Sequence, residues 1–308
     1  MKKELSDYLR KSCLDVGFIK CGFSKFEILA KEGEFLKSWL EENRNADMKW
    51  INSSCEKRIN PSLLMEDIKS VVSLAYIYDT PFLHSENNEI PKISRYAWGN
   101  RDYHKVIKKR LKLICSNTES SFDGVKTRYY VDDGPVMDKA WAVHSGIGWL
   151  GKNTNVINKE FGSFFFIGNI FINKELEYDL PEEDLCSSCM ICINECPTNA
   201  LYDEYKIDSN LCISYQTIEN KSSIPDSINT AGWIFGCDIC QDVCPFNGKK
   251  IFTEDDNFFP KQEIFNKSAK ELLNFSEEKF NKTFEGTPVK RTKYQGWVRN
   301  LKKFIDET

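Results

Sequence analysis

The chain has 308 residues, 41% of them hydrophobic and 29% charged, and a formal net charge of −4. That balance excludes a protein that coats nucleic acid indiscriminately, and the most apolar stretch, SFFFIGNIFI at 163–172, is too short to cross a bilayer. MKKELSDYLRKS at the N-terminus leads into no apolar run, so no secretory leader or membrane partner is expected, and twelve reduced cysteines suit the cytoplasm.

Leu5, Leu9, Cys13 and Val16 recur at helical spacing with Gly17 as a stop, and a short strand is expected at 18–22. A helix follows over 35–50, and SVVSLAYIY at 70–78 has the β-branched and aromatic character of a buried strand. Tyr103, Val106, Ile107, Leu111 and Ile114 mark another amphipathic helix. A strand at 129–131 runs into VDDGP, residues 136–145 are helical by composition, and GIGWLGKN permits close approach of backbone to a ligand or a tight connection. Two strands, 154–158 and 163–173, are expected to form a hairpin through KEFG. The acidic, aperiodic stretch 174–185 sets a domain boundary, giving a first domain at 1–180 that mixes helices and strands as an α/β or α+β fold.

Beyond that boundary, CSSCMICINECP at 186–197 has the C-x2-C-x2-C-x3-C-P spacing of ferredoxins that bind two 4Fe-4S clusters, and CDICQDVCP at 237–245 is one ligand short of it. Cys212 completes the number. In such runs the Cys before Pro ligates the other cluster, which assigns Cys186, Cys189, Cys192 and Cys244 to one cluster and Cys196, Cys212, Cys237 and Cys240 to the second. A zinc ribbon does not need the third and fourth cysteines of the first run, and structural disulfides do not suit a reducing compartment. The remaining cysteines, 13, 21, 55 and 115, read as buried or semi-buried thiols.

Net charge conceals an asymmetry. Residues 261–308 carry eleven Lys or Arg against seven Asp or Glu, so this helical tail is +4 and residues 1–260 are −8. Within it, PVKRTKYQGWVRNLKK has no acid and interleaves Tyr294 and Trp297, which fits either phosphate contact with base stacking or a solvated amphipathic helix. No nucleotide-binding fingerprint is present, because GIGWLG follows a helix instead of a strand. The histidines are scattered. The cobalamin-ligating pattern D-x-H-x-x-G is nearly met at Asp102-Tyr103-His104, but Ile107 stands where Gly is needed, so His104 reads as an isolated loop histidine.

EKRINPSLL, VVSLAYIY, SRYAWG followed by DYH, YVDDGPVMDKAWAVHSGIGWLGKNT, the two cysteine runs, CISYQTIE and GTPVKR followed by RN span nearly the whole chain in order. In these segments the chain resembles the epoxyqueuosine reductases, cobalamin-dependent iron–sulfur enzymes that finish queuosine in the wobble position of tRNA. The resemblance implies a nitroreductase-like cobalamin-binding domain at 1–180, a ferredoxin-like domain with two 4Fe-4S clusters at 181–260, and a basic segment at 261–308 that contacts tRNA. It implies Asp132 as the catalytic acid, with a carboxyl kept protonated by burial, and successive side chains on a strand would turn Asp133 away. Cobalamin would be held around Arg58, Ser94, Asp132, Lys152, Asn153, Val156, Ile167, Ile213 and Asp238, and tRNA by Lys290, Arg291, Lys293 and Arg299. A flavodoxin or ferredoxin would supply electrons to a monomer. Many members continue into HEAT-type repeats beyond the RN segment, which this sequence does not contain. A cobalamin and iron–sulfur reductase of a small molecule, like the reductive dehalogenases, is the alternative.

Overall fold

The computed structural model describes residues 1–248 and 251–308. Leu5, Leu9 and Cys13 form the buried stripe of α1 (Lys2–Asp15), and Gly17 ends it at φ +94°, where a side chain would be strained. The next strand, β1 (Lys20–Lys25), is displaced towards the C-terminus of the expected span. In place of one helix at 35–50 there are α2 (Ala30–Glu41), α3 (Lys49–Ser53) and α4 (Cys55–Ile59), because Asn43 and Ala46 turn left-handed between the first two. The first part continues with β2 (Ser70–Ile77), β3 (Lys92–Ile93), α5 (Tyr103–Ser121), β4 (Thr127–Tyr130), α6 (Asp138–His144), β5 (Trp149–Leu150), β6 (Val156–Ile157) and β7 (Phe165–Ile172). The second holds α7 (Ile191–Asn194), α8 (Ile213–Ile218), β8 (Trp233–Phe235), α9 (Ile239–Asp242), α10 (Ala269–Leu273), α11 (Glu277–Thr283) and α12 (Lys293–Glu307).

The main sheet has the order β1-β2-β7-β4, and every neighbouring pair is antiparallel. All of β2 is buried because both faces are covered. Val72, Leu74 and Tyr76 join the core under α1 and α5, while Val71, Ala75 and Ile77 face the side closed by α6. The expected KEFG hairpin does not form. Strand β6 pairs with β5, β7 pairs with β2 and β4, and only an Asn158–Gly162 bridge crosses the turn. The glycines of GIGWLG serve that tight connection: a Cβ on Gly148 would lie 2.1 Å from the Ile157 carbonyl oxygen.

Residues 174–185 hold no regular element, yet they are tied down. Asp179 pairs with Arg10 at 2.7 Å and accepts from the Phe23 backbone N–H at 2.8 Å, and Glu182 pairs with Lys20. Strand β3 lies parallel to β8, and Ile93, Trp98, Phe235, Phe280, Trp297 and Leu301 share one core. The basic tail is therefore integral to the fold. Among the described residues no helix is long and apolar enough to cross a membrane.

Trp297 is 0% exposed, which removes it as a stacking platform for bases, and the Tyr294 hydroxyl donates to the Phe275 carbonyl at 3.0 Å. Its apolar helix face was needed to close the second core. Trp297→Ala should destabilise the protein by about 3–5 kcal/mol, read as an earlier midpoint in denaturant titration; an unchanged midpoint would contradict this packing.

The end of α6 is clamped by His144, whose Nδ1 meets Glu27 at 2.9 Å and Nε2 meets Glu32 at 2.8 Å. The Glu32 hydrogen bond holds His144 above its usual pKa, and the same bond holds Glu32 below its own. The histidine contribution is complete below the unfolded value of about 6.5 and is lost as pH rises through the raised one. The glutamate contribution is complete above about 4.3 and is lost as pH falls through the lowered one. Glu32→Gln should thus lower Tm by about 2 °C between those values and by less outside them, measured by melts across pH.

Candidate functional site

Asp102 caps α5, its Oδ1 accepting from the His104 backbone N–H at 3.0 Å and meeting His104 Nδ1 at 2.7 Å. Burial works against the Asp102 charge, but the His104 hydrogen bond keeps the carboxyl below its usual range. His104 Nε2 then stands 3.9 Å from Asp132 Oδ2, which also accepts a hydrogen bond from the Tyr103 hydroxyl. Tyr103 is fixed by face-to-face stacking on Phe166, with centroids 4.3 Å apart and planes 2° apart. Burial, then the neighbouring Asp132 charge, keeps its hydroxyl protonated.

Asp132 and Asp133 do point different ways, since Asp133 pairs with Lys108 on α5. The cause is a left-handed Asp132 at φ +52°, not strand alternation. Its side chain is 70% exposed, so the burial expected to keep this acid protonated is not supplied by the protein alone. His104 is no isolated loop residue: it occupies the first turn of α5 and couples two carboxylates. The spacing of Asp102, Tyr103 and His104 was visible, but the partner that gives it meaning lies across the fold.

The side chains expected around a cofactor are partly engaged elsewhere. Ser94 Oγ donates to Asp238, which also accepts from the Arg95 backbone N–H at 2.9 Å and from Arg95 Nη1 at 3.1 Å. Lys152 Nζ donates to the Ser187 carbonyl at 2.6 Å and pairs with Glu204 at 2.9 Å, and Asn153 Nδ2 donates to the Cys240 carbonyl at 2.9 Å. These four residues fasten the first part of the chain to the cysteine segment. Arg58 donates to the Val136 carbonyl at 3.1 Å within electrostatic reach of Asp138 and Asp132. Val156 and Ile213 are buried apolar surface, and Ile167 is half-buried.

Lys139 and Asp138 were missed by sequence reading. Lys139 Nζ donates to the Thr154 carbonyl at 2.8 Å. Burial lowers its pKa against the opposing pull of Asp132, Cys240, Cys212 and Asp138, all within electrostatic reach of the ammonium. The Asp138 carboxyl is pushed up to about 7 by burial, then by the Asp132 charge.

The structure brings cysteines of both runs and Cys212 within electrostatic reach of one another. Burial, then the charges of Cys186, Cys244 and Cys189, push the Cys192 thiol up to about 11. After burial, Cys237 feels Cys240 and Cys212, and Cys212 feels Cys196. Cys240 has Cys212, Cys192 and Cys196 as neighbours, so the sets adjoin. Among the described residues no three His, Cys, Asp or Glu side chains surround one ion-sized point; in a cubane each thiolate takes its own iron. Crowded thiols that resist ionisation fit a donor set built for several irons, whose positive charge replaces the protons. Trp149 Nε1 donates to Cys186 Sγ at 3.5 Å, a contact of the kind that tunes cluster potentials. The other cysteines, 13, 21, 55 and 115, are buried.

Of the basic residues expected at nucleic acid, Lys290 and Lys293 are exposed. Arg291 pairs with Glu219, within reach of Asp132. Arg299 is turned inward, donating to the Gln216 carbonyl at 2.8 Å and the Asn220 carbonyl at 2.7 Å, so it fixes α12 to α8 and is not free for phosphate. Cys244→Ser should remove roughly half of the bound iron while leaving the set 196, 212, 237 and 240 loaded, as read by iron analysis and electron paramagnetic resonance; loss confined to the other set would overturn the crossed assignment.

A 4Fe-4S double cluster binding domain model matches residues 185–247, and a model described as epoxyqueuosine reductase QueG matches residues 58–133. An epoxyqueuosine reductase of Cellulophaga algicola is 39% identical over 302 residues, covering 97% of this chain and 98% of that protein. A Bacillus subtilis epoxyqueuosine reductase, solved with its catalytic aspartate loop swung out of the active site, superposes with a TM-score of 0.90 at 28% identity, covering 99% of this chain and 82% of that one. An epoxyqueuosine reductase solved with an epoxyqueuosine-modified tRNA stem loop superposes with a TM-score of 0.87 at 28% identity, covering 99% of this chain and 81% of that one. The fold, the paired cysteine sets and nearly full-length identity lead to one conclusion: the chain belongs to the epoxyqueuosine reductase family.

Proposed function

We propose that this oxidoreductase reduces epoxyqueuosine to queuosine at the wobble position of tRNA, with cobalamin as the reacting cofactor and two 4Fe-4S clusters as its electron supply. The observation that carries the reading is a carboxyl, Asp132, held by Tyr103 and His104, that lies with Cys212 and Cys240 within electrostatic reach of one ammonium, Lys139. The relative solved with an epoxyqueuosine-modified tRNA stem loop supports the substrate.

The residues present fit a corrin. Val156 and Ile167 share an apolar cluster and Ile213 is a buried apolar side chain, while Arg58 and Lys139 lie within electrostatic reach of Asp132. Bound there, cobalamin would supply a strong electron donor towards carbon. Asp132 delivers a proton to the departing epoxide oxygen, and cover by substrate and cofactor provides the burial that the free loop lacks. His104, oriented by Asp102, is placed to return a proton to Asp132, while Tyr103 fixes which carboxyl oxygen faces the cleft. Two electrons and two protons convert the epoxide to an alkene and water. The adjoining cysteine sets provide a path for electrons arriving one at a time from a flavodoxin or ferredoxin.

This reading assigns residues 1–180 to a nitroreductase-like cobalamin unit, 181–260 to the ferredoxin-like unit and 261–308 to a tRNA-facing segment, in a cytoplasmic monomer. The test is anaerobic turnover of tRNA carrying epoxyqueuosine, with cobalamin and a low-potential reductant. Asp132→Asn should lower kcat by about 10²–10⁴-fold with cluster absorbance unchanged. A wild-type enzyme that binds both cofactors and leaves the tRNA unaltered would refute the substrate assignment.

A further inference from the structure

Helix α5 carries a run of cations, three of which take no part in the fold or the site described above. From Tyr103 to Thr118 it holds Lys105, Lys108, Lys109, Arg110 and Lys112 and no acid, in a chain whose net charge is −4. Arg110 is spent on the core, pairing with Asp255 at 2.7 Å and covering the Tyr76 ring. Lys108 holds Asp133 on the catalytic loop. Lys105, Lys109 and Lys112 are exposed, and among the described residues they carry no ion pair.

A helix face that only meets solvent usually mixes signs, because charges three or four residues apart repel when alike. Here Lys105, Lys108 and Lys112 repeat at that spacing, with Lys109 beside them, over about 10 Å of helix. The row begins at the residue after His104, whose Nε2 stands 3.9 Å from Asp132. It borders an open groove of about 600 Å³ whose lining includes Lys108, Lys112 and Arg128 together with the acids Glu119 and Asp133. The chain leading to Lys290 and Arg291 also abuts the start of α5, where the Asp102 backbone N–H donates to the Gly286 carbonyl at 2.5 Å. Arg291 lies within electrostatic reach of Asp132.

We propose that the α5 row is a phosphate track for the RNA strand next to the reacting nucleoside, with Lys105, Lys109 and Lys112 contacting its backbone. This rests on the reading that the substrate is a tRNA. A macromolecule that presents one nucleoside to Asp132 must lay its neighbouring nucleotides across the surface around the catalytic loop, and α5 is the cationic part of that surface. The track supplies position and affinity without reading bases. Because Lys108 already holds Asp133, an RNA phosphate arriving on the same row lies beside the contact that restrains the catalytic loop.

The test uses the full chain with both clusters loaded and an epoxyqueuosine-modified tRNA anticodon stem loop, titrated between about 50 and 200 mM KCl. The triple variant K105Q/K109Q/K112Q should flatten the dependence of log affinity on log salt by about 2. It should raise KM about tenfold while kcat changes less than about twofold. A control triple of equal charge change, K11Q/K25Q/K159Q on α1, β1 and the turn after β6, should leave the slope as in wild type. An unchanged slope and KM in the α5 triple would overturn the track, as would equal losses in the control, which would reduce the effect to net charge. Failure of the wild type to bind or reduce the RNA is a separate outcome, and it would remove the substrate reading together with the track.

Discussion

One buried guanidinium holds the two parts of this molecule in the relation that the chemistry needs. Arg95 is 9% exposed and lies among three carboxylates: Asp238 at 3.1 Å, Asp242 at 2.6 Å and Asp79 at 3.6 Å. Asp238 is fully buried between Cys237 and the start of α9, and Asp242 ends that helix, so the network grips the segment that carries Cys237 and Cys240. Burial pushes both carboxyls up, and the Arg95 charge opposes it. Removing one member of such a buried pairing typically costs about 3–5 kcal/mol, because the partner is left charged and dry. The geometry matters as much as the energy: Ser94 and Arg95 stand beside Tyr96, whose hydroxyl lies within electrostatic reach of both Asp132 and Asp238. Asp132 and the segment holding Cys237 and Cys240 are thus referred to one fixed point.

The same economy shapes the start of α5. Asp102 satisfies the open end of the helix as any N-cap carboxylate would, and the same Oδ1 orients His104. Tyr103 fills the core against Phe166 while its hydroxyl reaches Asp132. A helix start placed for packing thereby holds both groups that stand beside the Asp132 carboxyl. The exposed lysines of the following turns extend the same element out to the surface, so one helix runs from the reaction centre to the proposed RNA contact.

The cysteine sets, the central strand β2 and the helices with clean periodicity were legible because each is decided by local spacing. The double-cluster character of residues 185–247 shows in the cysteine spacing and in Pro after Cys196 and Cys244 without knowledge of the fold. Asp132 was legible through the family likeness of its segment, but its left-handed backbone and its exposure were not. His104, Lys139 and Asp138 escaped because their roles come from partners distant in sequence. Trp297 and Arg299 misled for the opposite reason: a basic amphipathic helix looks the same whether its aromatic face meets a base or a core, and only Phe280, Phe284 and the carbonyls of α8 decide between them. The KEFG turn failed similarly, since its strands found better partners elsewhere in the sheet.

A polar line through the middle of the sheet links register to the site. Ser73 and Asn169 are direct partners in the β2–β7 ladder, both 0% exposed; Ser73 Oγ donates to Asn169 Oδ1 at 2.6 Å, and Asn169 Nδ2 donates to Asp138 Oδ1 at 2.7 Å. A slip of one residue in either strand would turn one of these groups into the apolar core under α5, at the cost of a buried, unpartnered polar group. The register is therefore specified by polarity as well as by shape. Because the line ends on the first residue of α6, it also fixes where that helix begins and so where Lys139 stands. Asp138, raised to about 7 by burial and by the nearby Asp132 charge, can keep its place in this line without adding a full second negative charge to the cleft at neutral pH. A sheet whose pairing is set in this way brings Lys139 within electrostatic reach of Asp132, Cys212 and Cys240 as a consequence of folding, not as a separate adjustment.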